Sequence, residues 1–253
     1  MNIFITGISS GIGKSLAIEL VKLKHNVWGI ARNIEALRLL ETELGSKNLF
    51  ITQCDLENTE DMKLVFDQMK KNDFLPDVIV LNAAVNTVNT DDFDLDEYRK
   101  SININLYGSL FWVEQFINEF LKRGSGQFIA ISSTSAFRKG PGGASYSASK
   151  AALSITFRRL RTQFMETGVK FSTVYFGPIN TKSWSGPKLK LFVPSEDKAV
   201  SFIIKLLKKA NGEYFFPLFT TLLAKLSLLF SDSFIYFFTK HFIKNTTKTN
   251  HQK

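Results

Sequence analysis

The first twenty-four residues constrain the fold more than any other part of the chain. An apolar run, Asn2–Thr6, has the composition of a β-strand, and Ile12–Lys24 carries apolar residues at helical spacing. Between them lies a turn with three glycines, Thr6-Gly7-Ile8-Ser9-Ser10-Gly11-Ile12-Gly13. Glycines at such a junction permit a tight turn and let a pyrophosphate approach the N-terminus of the helix. The order of strand, glycine turn and helix therefore indicates a dinucleotide-binding unit.

Strand and helix signals alternate along the rest of the chain. Such alternation is typical of βαβ units with right-handed crossovers, in which ligands bind at the carboxyl ends of the strands. The sequence thus predicts an α/β fold, a Rossmann-like doubly wound parallel sheet with helices on both faces. The predicted strands are Asn2–Thr6, Val27–Ala31, Leu49–Cys54, Val78–Leu81, Gln127–Ser132, Val169–Phe176 and Tyr214–Pro217. The predicted helices are Ile12–Lys24, Ile34–Leu44, Thr59–Lys71, Leu95–Leu121, Ser145–Glu166, Leu218–Phe230 and Phe234–Phe242.

Three polar residues in the second half of the chain suit acid–base chemistry. Tyr146 and Lys150 are four apart, which places both side chains on one face of a helix. An ammonium near a phenol favours the phenolate and lowers the tyrosine pKa from about 10 toward the working pH. Such a tyrosine can donate a proton to a carbonyl oxygen as hydride reaches the carbon, and Ser133 can hold the same oxygen. Taken alone, a Tyr/Lys pair at this spacing is also a common helix-surface pair.

Seven features fall in the order and at the spacing of one enzyme family. They are Thr6–Gly13, Asp55, Asn82-Ala83-Ala84, Asn105, Ser133, Tyr146 with Lys150, and Gly177-Pro178-Ile179-Asn180-Thr181. With its Thr-Gly-x-x-x-Gly-x-Gly and Tyr-x-x-x-Lys motifs, the segment 1–181 resembles the short-chain dehydrogenase/reductase family. The resemblance implies a sheet of about seven parallel strands, a nicotinamide cofactor, a carbonyl or alcohol substrate, and a homodimer or homotetramer.

The resemblance also implies catalytic roles. Tyr146 would be the acid and base, Lys150 would lower its pKa and bond the nicotinamide ribose, and Ser133 would polarise the carbonyl. Asn105 would anchor a water that relays protons to Lys150, with an amide used for helix packing as the alternative.

The implied cofactor site joins the glycine turn to loops at the strand ends. Asp55 would hold the adenine amino group, and Ile179 and Thr181 would hold the nicotinamide carboxamide. The family usually has glycine where this chain has Ala84, and we expect the added methyl to be tolerated. The predicted cofactor contacts are Gly7, Ser9, Ser10, Gly11, Ile12, Gly13, Arg32, Asp55, Leu56, Asn82, Ala83, Tyr146, Lys150, Ile179 and Thr181.

The end of the second strand indicates which nicotinamide cofactor is used. NAD-preferring members of the family usually carry an acid at the position of Ala31, where it bonds the ribose 2′-hydroxyl and repels a 2′-phosphate. That acid is absent here, and Arg32 offers a planar cation that can pair with phosphate. We therefore expect NADP(H). The alternative is that Arg32 is an ordinary surface residue and the preference is weak.

The net charge of +9 is concentrated in the C-terminal third. Residues 1–181 contain 20 basic and 19 acidic residues, whereas residues 182–253 contain 12 lysines and 4 acids. We expect one catalytic domain, 1–217, followed by an apolar and basic helical extension, 218–253. The extension could lie on an anionic membrane face, cover the active site, form a subunit contact or complete the core.

The apolar extension and an apolar segment at about Lys182–Ser195 favour a hydrophobic lipid-, steroid- or retinoid-like substrate. The lysines of that segment leave a 3-oxoacyl-carrier-protein reductase as an alternative. An NADP(H) sensor or scaffold is the non-enzymatic alternative, and the intact Ser-Tyr-Lys set speaks against it.

Several other classes of site are not expected. The three histidines lack ligand spacing, so no metal is predicted. No nucleic-acid partner is predicted, because the basic residues follow an apolar aromatic segment rather than a reading motif. The single Cys54 and the lack of a recognisable signal peptide predict a cytoplasmic protein, at most peripheral to the cytoplasmic face of a membrane.

Overall fold

The structure is a computed structural model, and it describes residues 1–86, 93–137, 143–181 and 193–238. Seven parallel strands form one sheet in the order β3-β2-β1-β4-β5-β6-β7. The strands are β1 Asn2–Thr6, β2 Asn26–Ala31, β3 Leu49–Gln53, β4 Val78–Leu81, β5 Gly126–Ser133, β6 Val169–Phe176 and β7 Glu213–Phe216. The α-helices are α1 Gly11–Lys22, α2 Ile34–Leu44, α3 Thr59–Lys71, α4 Leu95–Ile102, α5 Gly108–Arg123, α6 Ala144–Gln163, α7 Glu196–Leu206, α8 Leu218–Leu226 and α9 Asp232–Phe238.

The sheet separates two hydrophobic clusters, which explains why the strands are apolar on both faces. Ile3 and Ile5 of β1 belong to the cluster that includes buried residues of α1, α2 and α7. Phe4, which points to the opposite face, belongs to the cluster that includes buried residues of α3, α5 and α6. The predicted doubly wound parallel sheet with helices on both faces is confirmed.

Two features of the helices differ from the sequence prediction. The predicted helix Leu95–Leu121 is interrupted by a π-helical turn, Asn103–Tyr107, which joins α4 to α5. Helix α7 was not predicted, although Ser195 precedes it and its first turn is acidic. Its stripe of Ala199, Val200, Ile203 and Leu206 is buried.

The C-terminal extension begins with two short helical segments. The predicted helix Leu218–Phe230 is found as α8 followed by a 3₁₀ turn, Ser227–Leu229. The second predicted helix, Phe234–Phe242, is found as α9, and residues 239–253 lie outside the described part of the chain. Within the described ranges, no helix is both long and apolar enough to cross a bilayer.

The large apolar residues of α5 belong to the protein's own core. Phe111, Trp112 and Phe116 are all buried, and Leu110 packs against the same cluster. Core packing therefore accounts for these side chains.

Candidate active site

The glycine turn after β1 has the close contacts that its sequence predicts. Gly7 has a φ of +78°, and a Cβ on it would lie 2.8 Å from the Cα of Ala83. A Cβ on Gly13 would lie 2.2 Å from the carbonyl oxygen of Gly7, so α1 can approach the turn only with glycine there. At Gly11, φ is +54° and the space for a Cβ is open, which leaves this peptide accessible to a ligand.

Asn82, after β4, holds this turn in place. Its Nδ2 donates to the carbonyl oxygens of Thr6 at 3.0 Å and Gly7 at 3.1 Å. The backbone N–H groups of Asn82 and Ala83 both donate to Oγ1 of Thr6, each at 3.0 Å. The next residue, Ala84, is exposed and does not adopt a positive φ, so its methyl group is accommodated without backbone strain.

A cavity of about 430 Å³ opens where β1, β2 and β4 end. The carboxyl ends of parallel strands are the usual place for a dinucleotide in such a sheet. Lys150 and Ile179 are buried and do not line the cavity. The predicted cofactor contacts that line it are Gly7, Ser9, Ser10, Gly11, Ile12, Gly13, Arg32, Asp55, Leu56, Asn82, Ala83, Tyr146 and Thr181.

Substitution of Gly13 by alanine is expected to lower NADPH affinity at least about tenfold and to destabilise the fold by about 1–3 kcal/mol, since its Cβ overlaps Gly7 and Asn82. Fluorescence titration with NADPH and thermal melting measure the two effects. Gly45→Ala is the control, because Gly45 follows α2 with a φ of +51° in open space, so its substitution strains the backbone without touching the glycine turn. The control should lose some stability and keep its NADPH affinity. Wild-type affinity in Gly13→Ala would contradict the expectation.

Arg32 is an exposed cation at one end of this cavity. It follows the buried Ala31 of β2, and its guanidinium forms no ion pair or hydrogen bond with any residue in the described ranges. Only its carbonyl oxygen is engaged, accepting a hydrogen bond of 3.1 Å from Nε2 of Gln53. An arginine placed in this way can pair with a phosphate. Together with the open peptide at Gly11, this position fits a phosphorylated dinucleotide.

Ser133 and Tyr146 meet near the opposite end of the site. Ser133 is the last residue of β5 and Tyr146 lies in the first turn of α6, which brings the two hydroxyls close together. Oγ of Ser133 itself donates to Oγ of Ser135 at 3.2 Å and accepts from the Ser135 N–H at 3.1 Å. Burial raises the pKa of Tyr146, and the nearby hydroxyl of Ser133 opposes this shift. Lys150 does not lower the pKa of Tyr146 as expected. Its Nζ atom lies 5.8 Å from the centroid of the tyrosine ring and donates instead to the carbonyl oxygen of Ile131.

Lys150 is fully enclosed beneath the tyrosine. Its Nζ donates to the carbonyl oxygen of Ile131 at 2.7 Å, and only 2% of the residue is exposed. Burial lowers the pKa of this ammonium from its ordinary 10.5 to about 8. The lysine is therefore poised to change charge close to neutral pH.

This shift predicts a pH-dependent difference between the wild type and Lys150→Met. The unfolded chain keeps the proton of Lys150 up to pH 10.5, but the folded protein keeps it only to about pH 8. Below about pH 8 the buried charge therefore lowers the free energy of unfolding by about 3 kcal/mol, and this penalty disappears as the pH rises toward 10.5. Urea denaturation should show Lys150→Met to be the more stable protein at about pH 7, with a smaller advantage at about pH 10. A difference that does not change with pH would contradict the expectation.

Asn105 connects the loop after β4 to the catalytic helix. It lies buried in the π-helical turn, with its Oδ1 accepting from the Val85 N–H at 2.8 Å. Its Nδ2 donates to the Val85 carbonyl at 3.0 Å and to Oγ of Ser149 at 2.9 Å. Ser149 in turn donates to the carbonyl oxygen of Tyr146 at 2.7 Å. The side chain of Asn105 thus links the loop after β4 to helix α6.

Sequence reasoning missed the serines that support this helix. Besides Ser149, the hydroxyl of Ser154 donates to the carbonyl oxygen of Lys150 at 2.6 Å and pairs with Ser132 at 2.8 Å. Their signal in the sequence is the spacing of small polar residues three to four positions apart around Tyr146 and Lys150.

The described residues offer no support for metal-ion or thiol chemistry. No group of three or more His, Cys, Asp or Glu side chains that could hold a metal ion occurs in these ranges. Cys54 is buried, which raises the pKa of its thiol to about 12 and keeps it protonated.

The chain shares sequence with known oxidoreductases. The 11-beta-hydroxysteroid dehydrogenase A of Sesamum indicum is 32% identical over 167 residues, 64% of this chain and 48% of that protein. The 11-beta-hydroxysteroid dehydrogenase-like 3 of Arabidopsis thaliana is 33% identical over 71% of this chain and 59% of its own length. The chain thus matches about half the length of these two relatives. An uncharacterized oxidoreductase of Myxococcus xanthus is 27% identical over 84% of this chain and 86% of that protein.

Solved structures show the same fold. A short-chain dehydrogenase from Streptomyces avermitilis superposes with a TM-score of 0.80 at 21% identity, over 99% of this chain and 98% of that one. A 4-hydroxyisoleucine dehydrogenase, solved with NADH and succinate, gives a TM-score of 0.74 at 20% identity, over 84% and 96% of the two chains. The family model described as short chain dehydrogenase matches residues 1–188, and the chain therefore belongs to the short chain dehydrogenase family.

Proposed function

We propose that this oxidoreductase uses NADP(H) to interconvert the carbonyl and alcohol groups of a small hydrophobic substrate. The observation that carries the proposal is that one cavity is lined both by Tyr146, which lies near Ser133, and by Arg32, whose guanidinium has no partner among the described residues. Arg32 follows β2 and Ser133 ends β5, and three strand spacings separate these strands. That distance, about 14 Å across the sheet, suits an extended dinucleotide with its reactive end at the tyrosine.

The residues of this chain have distinct tasks in the proposed reaction. The glycine turn, Arg32 and Asp55 would hold the cofactor, which supplies or accepts the hydride when bound. Ser133 and Tyr146 would both donate hydrogen bonds to the substrate oxygen, fixing the carbonyl for attack on its carbon. Tyr146 would then give its proton to the developing alkoxide. Lys150, once protonated, would stabilise the resulting phenolate.

The hydrophobic substrate class has two supports. Two relatives carry names of steroid dehydrogenases, although the chain spans only 48% and 59% of their lengths. The extension also presents many apolar side chains to solvent, and its Lys225 contacts Phe137, four residues beyond Ser133. We further propose that residues 1–217 form the catalytic domain, that 218–253 contact a cytoplasmic membrane face peripherally, and that the enzyme is a homodimer or homotetramer.

Steady-state assays of the purified protein test this proposal. NADPH and NADH are compared with medium-chain ketones, a ketosteroid, retinal and a 3-oxoacyl thioester. We expect kcat/KM with NADPH to exceed that with NADH by at least about tenfold, and the apolar carbonyls to be preferred over the thioester. Equal or higher efficiency with NADH would contradict the cofactor assignment. Preference for the thioester would favour a carrier-protein reductase, and NADPH binding without turnover on any carbonyl would favour a sensor.

A further inference from the structure

Helix α8 is amphipathic, but its apolar face points outward. Its buried side carries Thr221, whose hydroxyl donates to the Pro217 carbonyl at 2.8 Å. The Nζ atom of Lys225 lies 4.2 Å from the ring centroid of Phe215 in β7 and 5.6 Å from that of Phe137. The exposed leucines on and after this helix are Leu218, Leu222, Leu223, Leu226, Leu228 and Leu229.

This exposed leucine face is unlike the rest of the protein surface. Twenty large apolar side chains are exposed in the described ranges, and eleven of them fall between positions 218 and 237. Scattered exposed apolar residues are normal, but a concentrated set marks a surface that contacts another phase or molecule. We therefore expect an apolar partner or an apolar phase to cover the leucine face.

Charge distinguishes between the candidate occupants. Residues 218–253 contain five lysines and one acid, and four of the lysines follow position 238 in the sequence. A second copy of the chain would carry the same excess of positive charge in this stretch of sequence. An anionic lipid surface instead offers both an apolar interior for the leucines and negative headgroups for the lysines.

We propose that the leucine face docks in the plane of an anionic bilayer. Helix α8 has nine residues, fewer than half the number that a helix needs to span a bilayer, so it would lie along the membrane surface. This inference gives the proposed membrane contact a defined face and lipid charge, and it rests on that contact rather than on the proposed reaction.

The docked face would lie beside the reactive end of the cleft. Phe137, which Lys225 contacts, is four residues beyond Ser133. On the other side of α8, Oγ1 of Thr220 lies 2.7 Å from the position of a Cβ on Gly177, directly after β6. Helix α8 would thus separate the docked face from the ends of β5 and β6.

Vesicle binding of the full-length protein tests the inference without substrate or NADPH. Sedimentation with phosphatidylcholine vesicles is compared with vesicles containing about 30 mol% phosphatidylserine. The test variant is Leu222→Ser with Leu229→Ser, which are 51% and 80% exposed. The matched control is Leu39→Ser with Leu64→Ser, which are 69% and 62% exposed on α2 and α3.

Wild type and control are expected to bind the anionic vesicles at least about tenfold more tightly than the test variant, and the neutral vesicles weakly. The proposal is overturned if the wild type binds neither vesicle, if the test variant binds like the control, or if lipid charge has no effect. The proposal also fails if sedimentation velocity shows the wild type to be an oligomer and the test variant a monomer, while the wild type does not bind vesicles. The leucine face would then be a subunit interface. NADPH oxidation with a water-soluble ketone should be equal in both variants, which separates failure of docking from failure of the proposed reaction.

Discussion

Tyr146→Phe is expected to lower kcat for carbonyl reduction by at least about a thousandfold and to leave NADPH affinity within about twofold of the wild type. The substitution removes the hydroxyl that lies near Ser133 and retains the ring. Ser133 can still hold the substrate oxygen, but the remaining groups cannot deliver the proton from the same position. NADPH oxidation measured at 340 nm, together with a fluorescence titration of NADPH, separates the two effects.

Tyr107→Phe is the matched control for this substitution. Tyr107 lies in the π-helical turn near Asn105, but its side chain is 61% exposed and outside the cavity wall. The control should keep wild-type turnover. Retention of more than about a tenth of the wild-type rate by Tyr146→Phe would remove this tyrosine from the role of proton donor.

Arg32→Ala is expected to reduce kcat/KM with NADPH by about ten- to a hundredfold and to change the value with NADH little. The guanidinium has no partner among the described residues, so its loss should not disturb the fold. Its effect should therefore appear only when the cofactor carries a 2′-phosphate. The ratio of the two kcat/KM values is the measurement that isolates this contribution.

Two further variants sharpen the cofactor test. Arg38→Ala removes another exposed arginine, on α2, that does not line the cavity, and it should leave the ratio unchanged. Arg32→Glu adds repulsion of the phosphate and should favour NADH over NADPH. An unchanged ratio in both Arg32 variants would show that another group selects the cofactor.

The sheet was predictable from the sequence because its strands are local apolar runs separated by helix-length segments. The glycine turn was equally visible, since Gly7 and Gly13 occupy positions where the chain itself leaves no room for a Cβ. The π-helical turn could not be predicted, because the apolar spacing of α4 and α5 continues through it. Its register depends on contacts made by Asn105 with Val85 and Ser149, which are 20 and 44 positions away.

In the active site and in the C-terminal extension, too, the contacts between elements distant in sequence could not be predicted. The motif residues could be assigned to one cleft from their order, but the bond between Lys150 and Ile131 depends on how α6 packs on β5. In α8 the apolar stripe could be read from the sequence, but its direction could not. Lys225 faces the body, where the rings of Phe215 and Phe137 receive its ammonium, and Thr221 is buried with its hydroxyl bonded to the Pro217 carbonyl.

The buried ammonium of Lys150 has a consequence for laboratory evolution of this protein. At neutral pH Lys150 is charged in the folded state, although its charge is more stable in the unfolded chain, where water solvates it. A selection that rewards heat resistance alone would therefore enrich neutral replacements at this position. Thermostable clones from such a library should include many that have lost turnover, so activity must be selected in the same round.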